Sequence, residues 1–96
     1  MASPHKKAYS YEKRYESILK AKRVIDQSGG YADLENDWLV AELFQKPIPG
    51  YLKEELSQAV KCAGNRLPIA VWREKHKPDM EALVIIRLED FKEWYL

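Results

Sequence analysis

Apolar residues recur along this chain at two spacings, and the changes between them mark its elements. From Ser10 to about Lys22, Tyr11, Tyr15, Ile18 and Leu19 fall on one helical face, with Lys22 at its margin. Ser10 is placed to cap that helix, and Glu12 lies in the first turn, where the helix dipole favours an anion. Residues 1–9 precede it as a polar, basic stretch expected to fray. Arg23–Asp26 reads as a short strand, Ser28-Gly29-Gly30 as a turn, and Tyr31–Leu34 as a second extended segment. After the turn Glu35-Asn36-Asp37 comes the clearest strand, Trp38–Phe44. It is apolar on both faces, as a central strand is, and Pro47 and Pro49 stop it.

The spacing returns to that of a helix over Gly50–Ala63, where Leu52, Leu56, Ala59, Val60 and Ala63 form one stripe and Gly64 or Asn65 ends it. Pro68–Arg73 is again a short apolar strand, Glu74–Glu81 a polar loop, and Ala82–Leu88 the last strand. Glu89–Tyr95 is a closing helix opened by acidic residues. The order is helix, three strands, helix, two strands, helix, with no internal repeat. It predicts an α/β domain over residues 10–96: a mixed sheet flanked by helices, Trp38–Phe44 at its centre and a right-handed crossover to Pro68–Arg73.

Length and composition narrow the class. A chain of 96 residues favours one domain, and one this size buries roughly 60–65% of its unfolded surface. No apolar run approaches the roughly 18–20 residues that span a bilayer, and the first ten residues carry no apolar signal core. The single cysteine, Cys62, excludes an internal disulfide and a Cys-based zinc site. A cytoplasmic location is expected, with Cys62 packed in the core. The formal charge of +1 hides an asymmetry: residues 1–25 carry a balance of +5 and residues 26–96 one of −4. The basic end suits phosphate contacts, and it suits a plain solvated helix face equally.

Glu42 is the residue most out of place, a carboxylate inside an apolar strand. Burial there is costly unless the group is paired, hydrogen-bonded or bound to a metal, and the plain alternative is a glutamate at the edge or end of its strand that faces solvent. Eight residues lie between it and Asp33, so a hairpin turning at Glu35–Asp37 brings the two acids to one end of the sheet. Two converging carboxylates suit Mg²⁺, which prefers oxygen ligands and keeps several waters. Glu12 is placed to approach from the first helix and Gln58 from the second, although each also has a plain reading as a surface residue. Other chemistries lack their residues. There is no Gly-rich phosphate loop, and His5 and His76 lie in a tail and a charged loop. Trp94 and Tyr95, in the terminal helix, read as core or interface rather than as a base-stacking platform.

These residues resemble a known pattern. Asp33-Leu34-Glu35 followed by Trp38-Leu39-Val40-Ala41-Glu42-Leu43-Phe44 is similar to the Asp…Glu-x-Lys signature of the PDDEXK nuclease superfamily, closest to small Holliday junction resolvase-like proteins of phages and bacteria. Arg23-Val24 and Ser28-Gly29-Gly30 resemble the strand and loop before the metal-binding Asp. Pro49-Gly50-Tyr51-Leu52 with Gln58-Ala59 resembles the second helix. Leu67–Trp72 and Ala82–Phe91 resemble the last strands and closing helix. The likeness spans roughly residues 12–95, and the ordered series is more specific than the short motif.

The resemblance implies a restriction-endonuclease-like αβββαβ core. It implies Mg²⁺ or Mn²⁺ on Asp33 and Glu42, Glu12 as the first-helix acid, and Arg23, Ser28 and Gln58 toward DNA. Members cut DNA, often at branched junctions, and many act as dimers, so a homodimer is expected. One departure is plain: Phe44 stands where the family has the Lys that positions water and stabilises developing negative charge. Either a lysine has moved, Lys46 on the same strand face or Lys53 or Lys61 from the helix, or the site is crippled. Three functions follow: a metal-dependent DNA phosphodiesterase; a catalytically dead relative that binds DNA or a protein; or a phage-borne inhibitor or scaffold on a nuclease fold.

Overall fold

The computed structural model describes residues 4–24 and 33–96, with side chains from residue 11 onward. The chain divides into two compact units, Met1–Gln45 and Lys46–Leu96.

The first unit opens with helix α1, Pro4–Leu19, which begins at Pro4 rather than at Ser10. Proline suits a first helical turn, because its φ is already helical and its missing N–H has no partner to lose there. The helix closes where Lys20 takes the left-handed φ of 54°, while the Ala21 N–H bonds the Glu16 carbonyl at 3.1 Å. Strands β1 (Lys22–Arg23), β2 (Leu34–Glu35) and β3 (Val40–Ala41) then form an antiparallel sheet in that order. Arg23 pairs with Leu34 and Leu34 with Ala41. Leu34 is wholly enclosed, and Leu19 and Ala21 are the other buried apolar residues described in this unit.

The Trp38–Phe44 run is therefore not a central strand. Among the described residues, only Val40–Ala41 of this run joins the ladder, at one edge, and Trp38, Val40 and Phe44 are exposed. The central strand is β2. Asn36 accounts for part of the shortening: its Oδ1 accepts both the Trp38 and Leu39 N–H groups at 2.9 Å, and its Nδ2 donates to the Lys20 carbonyl at 3.1 Å. The side chain thus holds Trp38 and Leu39 in a turn that competes with the ladder. Of the segment read as Arg23–Asp26, Arg23 is in β1, and the Val24 N–H bonds the Asp33 carbonyl at 3.1 Å. Ile25, Asp26, the Ser28–Gly30 turn, Tyr31 and Ala32 lie outside the described residues.

The second unit holds helix α2, Gly50–Ala63, with the bounds its apolar stripe predicts. Pro49 precedes it, and its carbonyl receives the Leu52 and Lys53 N–H groups at 3.1 Å. Gly64 ends it at φ 62° and ψ −120°. Arg66 then folds back onto the helix end, its Nε donating to the Ala63 carbonyl at 2.9 Å and its Nη2 to the Cys62 carbonyl at 2.6 Å. Carbonyls that a helix terminus leaves without partners are satisfied in this way. Strands β4 (Ala70–Trp72) and β5 (Leu83–Ile85) pair antiparallel, Val71 opposite Val84 and Trp72 opposite Leu83. A single 3-10 turn, Asp79–Glu81, precedes β5, and helix α3, Leu88–Tyr95, closes the unit. Helix α2 packs on β4, with the Tyr51 ring edge-on to Trp72 at 5.5 Å.

The class is thus mixed α/β, with three helices and two small antiparallel sheets among the described residues. The single mixed sheet with a crossover from Trp38–Phe44 to Pro68–Arg73 is not formed there: β1–β3 pair among themselves, and β4 pairs with β5. Short apolar runs specify a strand without specifying its neighbours, and here each run pairs with the strand nearest in sequence. No helix among the described residues is long and apolar enough to cross a membrane.

Candidate functional site

Two of the acids singled out from the sequence, Asp33 and Glu42, lie at one end of the first unit's sheet. One step beyond the Leu34–Ala41 pair, the register sets Asp33 against the Ala41–Leu43 stretch, with Glu42 as its nominal partner. The Asp33 N–H bonds the Ala41 carbonyl at 3.0 Å, so the contact between the strands extends to this acid. Its side chain crosses as well: Asp33 Oδ2 accepts the Leu43 N–H at 2.6 Å, a short charge-assisted bond that fixes the carboxylate. The hairpin about Glu35–Asp37 thus brings Asp33 and Glu42 to one end of the sheet.

Glu42 itself is exposed rather than buried. Its carboxylate lies just past the end of β3 and is open to solvent. Glu12 is on α1, where its Oε2 pairs with Arg23 Nε at 3.1 Å. The acid expected near a metal and the arginine expected on DNA therefore engage each other, and both are only partly exposed.

Tyr11, the neighbour of Glu12, stacks obliquely on Tyr15 with ring centroids 4.8 Å apart. Burial pushes the Tyr11 phenol above its ordinary value. The field and hydrogen bond of Tyr15 add to this and Arg14 opposes it, while the Asp33 charge pushes the same way as burial. A half-buried phenol thus feels the candidate carboxylate.

As a cation site, this arrangement offers the oxygens of Asp33 that Leu43 does not occupy and the open carboxylate of Glu42. Two oxygen ligands with the rest supplied by water is a donor set that Mg²⁺ accepts. Among the described residues, no group of three or more His, Cys, Asp or Glu could enclose a metal.

The remaining predicted residues stand elsewhere. Phe44, in place of the expected lysine, is 74% exposed, so it neither supplies an ammonium nor packs in a core. Lys46 is exposed and belongs to the second unit. Lys53 and Lys61 are exposed on α2. Gln58 is exposed on α2 and donates to Cys62 Sγ at 3.6 Å. Cys62 is itself exposed rather than in the core, since it lies off the stripe that ends in Ala63. Ser28 lies outside the described residues.

One constellation escaped the sequence. At the start of α3, Arg87 forks onto Asp90, Nε to Oδ2 at 2.6 Å and Nη2 to Oδ1 at 3.2 Å, and its Nη1 lies 3.3 Å from Glu89. Asp90 is only 8% exposed, yet each of its oxygens has a partner. These contacts raise the Arg87 pKa, the Asp90 hydrogen bond foremost. The three-residue spacing on a helix was the available signal. Trp94 and Tyr95, read as core or interface, are about half exposed.

No protein-family model, curated protein sequence or solved structure matches this chain.

Proposed function

We propose that this chain is a metal-dependent DNA endonuclease of the Holliday junction resolvase-like kind, built on a restriction-endonuclease-like core, with Asp33 and Glu42 as its cation ligands. The observation that supports this reading is the β2–β3 register, in which Asp33 falls opposite Glu42 at one end of the sheet. The order of segments across residues 12–95 supports it too. Asp33, held by the Leu43 N–H, is the fixed ligand. Glu42, open to solvent, is the ligand that can move to meet a cation and a phosphate. A bound Mg²⁺ or Mn²⁺ would supply Lewis acidity and an activated water. Glu12 orients Arg23, whose guanidinium stands at the edge of the same sheet.

The test is titration with Mn²⁺ by calorimetry, together with incubation in Mg²⁺ or Mn²⁺ with branched, nicked and linear DNA. Binding of one ion that is lost in Asp33→Asn and Glu42→Gln, with metal-dependent cleavage, is the expected result. Neither binding nor cleavage would reject the reading.

A second reading is favoured by Phe44. A fully apolar, exposed side chain at the lysine position suits a protein that holds DNA, or a partner protein, without cutting it. Ion and DNA binding with no cleavage under any of those conditions would select it. In the first reading the partner is DNA, in the second it is DNA or a protein, and a homodimer is the proposed assembly.

A further inference from the structure

We draw no further inference here: the strongest candidate, the open face of the β4–β5 sheet on which Val71 and Val84 stand directly opposite one another and are both exposed, carries nothing, because nothing in the structure shows what covers it.

Discussion

The carboxylate of Asp33 accepts the backbone N–H of Leu43 at 2.6 Å, tying the start of β2 to the residue after Glu42. A half-buried bond to a charged acceptor contributes about 1–2 kcal/mol. Asp33→Ala should therefore lower the free energy of unfolding in urea by about that amount, and Asp33→Asn by less, because its amide oxygen can still accept the bond. Both should abolish Mn²⁺ binding. If Asp33→Asn bound the ion as wild type does, Asp33 would be a structural residue alone.

Phe44 offers a test by gain rather than loss. At 74% exposure it has little packing to lose, so Phe44→Lys should change stability by no more than about 0.5 kcal/mol. The substitution returns an ammonium to the position two residues after Glu42. Mg²⁺-dependent nicking of branched DNA, followed on a gel, should rise by about tenfold or more. An unchanged rate with ion binding intact would favour the DNA-holding reading.

The two described glycines of the second unit should respond in opposite directions to alanine. Gly50 opens α2, and Gly64 closes it with φ 62° and ψ −120°, a backbone region that side chains avoid. Nothing stands within 4 Å of an added Cβ at either position, so each effect is one of backbone conformation. Gly64→Ala should cost about 1–2 kcal/mol, while Gly50→Ala should stabilise by up to about 1 kcal/mol through helix propensity. Thermal and urea unfolding of the two variants checks both signs.

Tyr11 predicts a loss of stability in alkali. Its phenol ionises less readily in the folded chain than the ordinary value of 10.0, chiefly because of burial and then because of Tyr15. The folded state therefore keeps a proton that the unfolded state gives up. The contribution is whole below pH 10 and is lost as pH rises through the higher folded value. Urea unfolding of wild type and Tyr11→Phe between pH 8 and pH 11 should show curves that run parallel at first, with wild type falling faster from about pH 10. Parallel curves throughout would remove Tyr11 from this account.

Helices were far more legible in this sequence than sheet partners. The bounds of α2 follow from Leu52, Leu56, Ala59, Val60 and Ala63 on one stripe, with Pro49 before and Gly64 after. A helix is a local object whose bonds close within four residues. The start of α1 was missed because Ser10 is a good cap, although Pro4 was an earlier and valid start signal. Trp38–Phe44 was misplaced for a different reason. Apolar composition specifies an extended chain, while central or edge position depends on pairing with distant segments. The hairpin that brings Asp33 to the Ala41–Leu43 stretch could be read, since its turn at Glu35–Asp37 lies between the two acids. The exposure of Glu42 was one of two alternatives the sequence left open, because it depends on what covers that end of the sheet. The Arg87–Asp90 fork required knowing that the chain turns helical at Leu88 rather than remaining extended to that residue.

Asn36, which fastens the β2–β3 turn by its own side chain, governs the acids without touching either. Neighbouring residues on a strand point to opposite sides, so a hairpin that slipped by a single position would carry Glu42 to the far face and leave Asp33 confronting Leu43 or Ala41 instead. Inserting or deleting one residue between Glu35 and Leu39 would therefore disable ion binding as surely as removing a carboxylate. The length of this loop sets which side chain stands opposite Asp33.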